Sequence, residues 1–141
     1  MSNANGAIQF RGYKVIHMGY DCPANISEES IGSLQFRIGY GVEPRPDGSM
    51  QVNVGVRAFG GKSVSNYDEA DLKATVELAG NFIMMDGAEW DEKWNANAIA
   101  ILIPYARAIL SVITVQSGRP PIILPTVNTN KLVNPDKEEE K

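Results

Sequence analysis

The chain has 141 residues, which is enough for one domain with a hydrophobic core. Apolar residues make up 43% of it and charged residues 21%, a composition typical of a globular protein and not of a disordered one. With 17 acidic residues against 13 basic ones, it lacks the basic footprint that nucleic acids require. A single cysteine excludes an intrachain disulfide and a cysteine metal cluster, and fits a cytoplasmic protein.

The first predicted element is a long strand. Apolar residues alternate loosely between Ile8 and Tyr20, and Gly12 interrupts the alternation. Because a glycine within a strand weakens pairing and often marks a bulge, we expect an irregular strand near Gly12. The strand ends before the loop that begins at Cys22 and Pro23. No basic region followed by a long apolar core precedes it, so we expect no secretory signal.

The next two elements form a predicted antiparallel hairpin. Every even position in Leu34–Val42 is apolar, and the same alternation runs through Met50–Ala58. Alternation with a period of two indicates strands that bury one face and expose the other. Between the two segments, Asp47-Gly48 supplies the positive φ that a tight hairpin turn needs.

The segment Asp71–Phe82 is ambiguous from its pattern. Its apolar residues alternate with polar ones, as in a half-buried strand. The same residues have good helix propensity and follow the acidic pair Asp68-Glu69, as at the start of a helix. The alternation favours a strand over a helix.

The longest apolar segment, Ala98–Val115, has the period of a helix. Pro104 must either kink this helix or mark the first turn of its main part. The segment has about the length of a short membrane span, but Pro104 and Arg107 near its middle favour a buried or interfacial helix, and we expect no membrane insertion. Its apolar residues form two adjacent stripes, which implies two partners: the sheet of its own domain and another subunit. The residues assigned to this homo-oligomer interface are Ile99, Leu102, Tyr105, Ile109 and Val112.

The end of the chain contains a turn, a crossover and a short predicted helix. Gly118 is predicted to cap the long helix, and Pro120 prevents its continuation. A second apolar segment follows, and Asn128–Val133 is predicted to be helical. These elements define one domain, residues 1–134. The charged residues 135–141 are predicted to form a disordered tail.

The sequence contains no catalytic constellation. Its one histidine, His17, lies on the polar side of a predicted strand, and its one thiol, Cys22, has no second histidine to pair with. We therefore predict that the protein is not an enzyme and uses neither a metal nor another cofactor. Acidic residues near Asp21 and Glu69 are expected to form a solvated face, which would meet a basic partner if it has a function.

Since the sequence contains no catalytic constellation, apolar surface is the feature from which we predict a function. Such surface suggests binding of apolar segments of other proteins. Phe36 and Phe82 are assigned to the core. The candidates for client binding are Tyr20, Ile122, Ile123, Leu124 and Leu132.

Several motifs, in order along the chain, resemble the SecB family of protein-export chaperones. The most specific is Pro104-Tyr-Ala-Arg107, which is followed by an apolar helix, the turn Ser117-Gly-Arg-Pro120 and an apolar crossover that ends at Asn128. Tyr20-Asp-Cys-Pro23 resembles the family's motif at the end of strand one. Ala79-Gly-Asn-Phe82 resembles its motif at the end of strand four.

The resemblance covers the chain from about Ile8 to Val133 and implies an α+β fold. In that fold a four-stranded antiparallel sheet, whose fourth strand includes Asp71–Phe82, precedes a long helix and a short C-terminal helix. It also implies a cytoplasmic homotetramer, a dimer of dimers with the long helix at the subunit interfaces. The family binds unfolded preproteins in apolar grooves without nucleotide hydrolysis and delivers them to the SecA motor.

The resemblance also assigns site residues by position. Tyr20 and the triplet Ile122–Leu124 would contribute to the client groove. Asp21 and Glu69, with Asp71 beside them, would face SecA.

Two features depart from the family pattern. The family's other acidic position on strand one falls on His17, and its terminal helix is longer than Asn128–Val133. SecB-like proteins also serve as dedicated chaperones of toxin–antitoxin systems, a role that tolerates a divergent motor surface. Stabilisation of one partner, such as an antitoxin, is therefore the alternative function.

Overall fold

A computed structural model describes residues 8–26, 33–60 and 66–135 of the chain. Its elements confirm the predicted α+β class: four antiparallel strands precede a long helix and a short one. The terminal segment 136–141, which includes nearly all of the predicted disordered tail, lies outside the described residues. The bounds are β1 (Ile8–Asp21), β2 (Gln35–Pro44), β3 (Met50–Gly60), a 3-10 turn (Tyr67–Glu69), β4 (Leu72–Met84), α1 (Lys93–Val115) and α2 (Thr129–Val133).

The strands form one sheet in the order β1-β4-β3-β2, so β1 and β2 are its edges. The predicted hairpin is confirmed, with every residue of Gln35–Pro44 paired to β3 without a register shift. Its turn uses the predicted glycine, because Gly48 has a φ of 92°. The Asp47 carboxylate accepts hydrogen bonds from the Ser49 amide at 2.9 Å and from the Ser49 hydroxyl at 2.6 Å, which lowers the pKa of Asp47.

The first strand is irregular, as its glycine predicted. The register between β1 and β4 shifts between Phe10 and Tyr13, and Gly12 in that interval has a φ of 115°, where other residues are strained. A second shift lies between Val15 and His17. Because β1 is an edge strand, these bulges bend it without breaking a central ladder.

The ambiguous segment is a strand, β4, and its alternate residues are central to the core. Leu72, Val76 and Phe82 are almost completely buried under α1, together with the matching residues of β3. Gly80 lies on the same face, and a Cβ atom there would come within 2.7 Å of the Leu102 side chain. The helix therefore approaches the sheet closely because this position has no side chain.

Helix α1 is continuous from Lys93 to Val115, with Pro104 in its interior and not in its first turn. Proline has no amide hydrogen, so the carbonyl of Ala100 lacks its usual helical hydrogen bond. Both Ala100 and Pro104 are exposed, so water can donate to this carbonyl. The helix is long and apolar enough to cross a membrane by length and composition, yet one side of it is buried against the sheet. Gly118, with a φ of 90°, follows its C-terminus as predicted.

Candidate functional site

The polar residues of α1 hold the crossover that follows it. Arg107 donates hydrogen bonds to the carbonyls of Leu124 at 3.1 Å and Pro125 at 3.3 Å. Ser111 donates to the Ile122 carbonyl at 3.0 Å, and the buried Thr114 hydroxyl accepts from the Ile122 amide at 2.9 Å. These three side chains are spaced four and three residues apart, so they lie on one side of the helix. They fix the backbone of an extended segment that has no partner strand.

This attachment decides which crossover side chains are accessible. Ile122 and Leu124 point into the core and are 6% and 1% exposed, whereas Ile123 between them is 64% exposed. The three residues assigned together from the sequence are therefore divided by the alternation of an extended chain. In the monomer only Ile123 of this triplet can contact another molecule.

The other two residues predicted to bind clients, Tyr20 and Leu132, do not lie beside one another. The half-buried Tyr20 is hydrogen-bonded with Ser117 at the C-terminal end of α1, and burial raises the pKa of its hydroxyl above the usual value. The crossover then runs back along α1 as far as Arg107 before α2 begins. Arg107 precedes Ser117 by ten residues, which corresponds to about 15 Å along a helix. Leu132, on α2, is half-buried against the core.

A network around Arg119 joins this end of α1 to the loop after β1. The Arg119 guanidinium donates to the carbonyls of Pro23 at 3.0 Å and Ala24 at 3.2 Å, and lies 3.4 Å from the Cys22 sulfur. The turn predicted from the sequence therefore ties the crossover to the end of β1 and holds Tyr20 between them.

On the opposite side of α1, strand β1 leaves apolar side chains uncovered. The Tyr13 and Tyr105 rings are tilted by 37° with centroids 4.7 Å apart, and Tyr20 lies beside Ser117, so this part of β1 runs along the helix. By register with β4, Tyr13, Val15 and Met18 share the face of the sheet that α1 covers, yet Met18 is 54% exposed. We call this the β1–α1 surface: Tyr13, Val15, Met18, Tyr105, Ile109 and Val112.

The residues assigned to the oligomer interface divide between the core and this surface. Ile99 and Leu102 are 0% exposed because they face the sheet of their own chain, so they are not available to a second subunit. Tyr105 and Val112 are exposed, at 39% and 52%, and Ile109 is half-buried beside them. The error in assigning Ile99 and Leu102 has a physical cause: one sheet covers more than one stripe of this helix.

The acidic residues assigned to motor binding lie at one end of the sheet. Asp21 ends β1 directly opposite Lys73 of β4, and Glu69 and Asp71 immediately precede β4. Asp21 and Glu69 are exposed, while Asp71 is half-buried. Within residues 8–26, 33–60 and 66–135, no three metal-ligating side chains are close enough to hold an ion.

Two features of the candidate site were not predicted from the sequence. The exposed apolar row on β1 was hidden by its irregular alternation, which the bulges explain. The role of Arg107, Ser111 and Thr114 had a usable signal, because their spacing places three hydrogen-bonding groups on one side of an otherwise apolar helix.

Comparison with solved structures identifies the architecture. The Mycobacterium tuberculosis Rv1957 SecB-like chaperone, solved in complex with a ChAD peptide from the Rv1956 HigA1 antitoxin, superimposes with a TM-score of 0.65 over 86% of this chain and 91% of that one, at 15% identity. The chain has the SecB-like fold. At this identity the similarity establishes the fold, and the resemblance read from the sequence motifs is confirmed at that level.

Other comparisons add relatives without a stated activity. An uncharacterized protein of Methanocaldococcus jannaschii, MJ0357, is 53% identical over 65 residues, which are 45% of this chain and 42% of that protein. The chain thus matches less than half the length of this curated relative. A Streptococcus agalactiae protein of unknown function superimposes with a TM-score of 0.47 at 13% identity, over 84% and 97% of the two chains. No protein-family model matches the chain.

Proposed function

We propose that the protein is an ATP-independent chaperone that binds unfolded segments of other proteins. The observation that carries this proposal is the apolar side chain of Ile123, 64% exposed on a crossover that α1 holds in place, within a SecB-like fold. Exposed apolar groups on a surface rimmed by polar residues mark sites that bind other molecules.

The crossover suits this role because its backbone is ordered before a client arrives. Each square ångström of apolar surface removed from water contributes about 25 cal/mol, so several modest contacts hold an extended chain with little sequence selectivity. The bonds from Arg107, Ser111 and Thr114 reduce the entropy that ordering this segment would cost on binding. Tyr20 and Leu132 extend the proposed client surface at the two ends of the crossover.

The β1–α1 surface is the proposed site of self-association. It joins an edge strand to the exposed side of a helix, and its apolar side chains have no cover within the described part of the chain. A second copy would cover this surface with the same residues, as in an isologous dimer. Two such dimers would give the homotetramer that the sequence resemblance implies.

Delivery of preproteins to SecA in the cytoplasm is the first form of this function. The acidic residues Asp21, Glu69 and Asp71 are proposed to meet the motor, since they lie together at the start of β4 and the end of β1. A lone thiol is compatible with the reducing cytoplasm.

A dedicated chaperone of one partner, such as an antitoxin, is the second form. Two observations favour it: α2 has only five residues, and the SecB-like chaperone superimposed above was solved with a peptide from an antitoxin. This form requires client binding without a motor surface.

The test is suppression of aggregation of a chemically unfolded preprotein without ATP. The purified protein should suppress light scattering at stoichiometric amounts, and Ile123→Ser should weaken this effect at least several-fold because it removes the exposed apolar group. Met85→Ser is the matched control, since Met85 is also exposed but lies in the loop after β4. Equal suppression by both variants would contradict the assignment of the crossover, and no suppression at excess would contradict the function.

Identification of proteins that co-purify with the chain separates the two forms. Many preproteins indicate a general export chaperone, and one predominant partner indicates a dedicated one. In the export form, Glu69→Lys should reduce binding to SecA while leaving aggregation suppression unchanged.

A further inference from the structure

The outer face of the sheet, which points away from α1, carries two depressions. The larger, of about 620 Å³, lies around Gly55, and Glu77 is among the residues that line it. The smaller, of about 370 Å³, lies beside the first bulge of β1, and we call it the bulge depression. No acidic side chain is among the described residues that line it, although the whole chain has a net charge of -4. Its polar side chains are Arg11, Lys14, Gln51 and Asn81.

The bulge brings two cations to the same side of β1. Side chains three residues apart in a regular strand point to opposite faces of the sheet. Between Arg11 and Lys14, however, β1 has one residue more than β4 at Gly12, so both cations line the same depression on the outer face. Lys14 pairs with Ala79, while Arg11 lies opposite Asn81, two residues along β4. The two cations are therefore separated by about 7 Å along the strand, and both long side chains can reach one ligand.

The same two cations have no partner within the described part of the chain. That part contains ten lysines and arginines, and eight of them interact with an acceptor, a carboxylate, an aromatic ring or another group. These eight are Arg37, Arg45, Arg57, Lys73, Lys93, Arg107, Arg119 and Lys131. Arg11 and Lys14 are both exposed and make no such contact with described residues. Since like charges at this separation repel each other, an anion between them would be stabilised by both.

Two ordered amide side chains add donors to the bulge depression. Asn81 Nδ2 donates to the Ser49 hydroxyl at 2.8 Å, and Gln51 Nε2 donates to the Asn53 side-chain oxygen at 3.0 Å. The Ser49 hydroxyl in turn donates to Asp47 at 2.6 Å, so the hairpin turn holds Asn81 in place. Each amide nitrogen carries two hydrogens, and these bonds use one of them. A second hydrogen on each nitrogen therefore remains for a ligand.

We propose that the bulge depression binds a phosphate group, either free phosphate or that of a small phosphate monoester. A phosphate monoester near neutral pH carries a charge of about -1.5 to -2 and three acceptor oxygens, which matches two cations and two amide donors. A carboxylate has one charge and two oxygens, so it would neutralise only one of the cations. The guanidinium of Arg11 suits paired hydrogen bonds to phosphate, and Lys14 adds a point charge.

This site is separate from the surfaces proposed above. The bulge depression lies on the outer face, whereas the crossover and the β1–α1 surface lie on the side of the sheet that α1 covers. Phosphate binding therefore does not depend on the proposed chaperone function, and each can be tested without the other.

NMR titration of the isotope-labelled full chain tests the proposal. The probes are inorganic phosphate and adenosine monophosphate, and acetate at the same ionic strength is the control. Phosphate should shift the resonances of the Gly12 and Lys14 amides and of the Asn81 side chain in a saturable way, with an affinity at least fivefold higher than that of acetate. Its binding should weaken as the pH falls through about 6, where the dianion gains a proton.

The two probes distinguish the sources of the phosphate group. Tighter binding of adenosine monophosphate would support the proposal with a monoester as the ligand, and equal or weaker binding would support it with the free ion. No saturable shift at Gly12, Lys14 and Asn81 with either probe, or equal affinities for phosphate and acetate, would overturn the proposal.

Variants locate the site and separate binding from folding. Arg11→Gln and Lys14→Gln should each weaken phosphate binding at least fivefold, and both positions are exposed, so the fold should be retained. Lys93→Gln is the matched control, since it removes the same charge from the start of α1 and should leave binding unchanged. Asn81→Asp should weaken binding further, because it places a negative charge among the donors. Equal affinities of Arg11→Gln and Lys93→Gln would show that no such site exists, even if the chaperone activity is present.

Discussion

The two faces of the sheet are built from alternate residues of the same strands and have opposite characters. On the face that α1 covers, Val54, Val76 and Leu78 are 0% exposed and leave no room for another side chain. On the outer face, their sequence neighbours border two depressions; these neighbours are Asn53, Gly55, Thr75, Glu77 and Ala79. A shift of one residue in the register of any strand would exchange these two characters, so the alternation fixes both the core and the surface.

The difference shows where this small fold can bind other molecules. The inner face can bind where its cover ends, which is along the edge strand β1, at Tyr40 of the other edge strand β2 and at Ile123 of the crossover. Within the described residues, the turn at Tyr67 is the one element that packs over the outer face, and the side chains on that face include charged groups. We therefore expect apolar partners on the helix side and partners recognised by polar contacts on the other side.

The largest expected effect is the loss of assembly when the uncovered part of the inner face is altered. Val112→Asp places a charge on the β1–α1 surface and should convert the proposed homo-oligomer to a 15.4 kDa monomer, because an unpaired carboxylate would have to be buried at the interface. Size-exclusion chromatography with light scattering measures the mass directly.

Ile123→Asp is the matched control for that experiment. Ile123 is also apolar and exposed, but it lies on the other side of α1, so this variant should keep the mass of the unaltered protein. A monomeric unaltered protein at micromolar concentration would contradict the interface, and an oligomeric Val112→Asp variant would contradict its location.

The next effect compares glycines on the two faces. Gly80→Val should destabilise the protein by about 3 kcal/mol, since the new side chain would collide with the Leu102 side chain, which is fully buried and could shift only by disturbing the core. Gly55→Val on the outer face should be neutral or stabilising by up to about 1 kcal/mol, because valine suits a strand better than glycine does. Urea denaturation gives both values, and equal losses for the two variants would contradict the assignment of close packing to the inner face.

Much of this fold could be predicted from the sequence because the two-residue alternation is strong in β2, β3 and β4 and the apolar period changes clearly at α1. The glycine and proline positions marked the turns correctly, including Gly48 and Gly118. The strand identity of Asp71–Phe82 followed from alternation even though helix propensity opposed it, since burial against α1 outweighs propensity.

The candidate site was predicted less completely because it depends on which side of each element is covered. Pattern alone marked Ile122, Ile123 and Leu124 as one apolar triplet, but the bonds from α1 to the crossover turn the outer two inward. The outer-face depressions depend on residues of four strands that become neighbours only through register. No single segment of the sequence contains that information.

The smallest expected effect concerns the hydrogen bond from the Ile122 amide to the Thr114 hydroxyl, which helps to hold the crossover against α1. Thr114 is buried and its hydroxyl accepts the Ile122 amide, so Thr114→Val leaves a buried amide without a partner at a cost of about 1.5 kcal/mol. Thr114→Ser keeps the hydroxyl and should retain most of that stability, although it removes a methyl group. The crossover should also exchange its amide hydrogens faster in the valine variant. Unchanged exchange at Ile122 would mean that Arg107 and Ser111 are sufficient to hold the crossover, and the preorganisation proposed for client binding would then rest on those two residues.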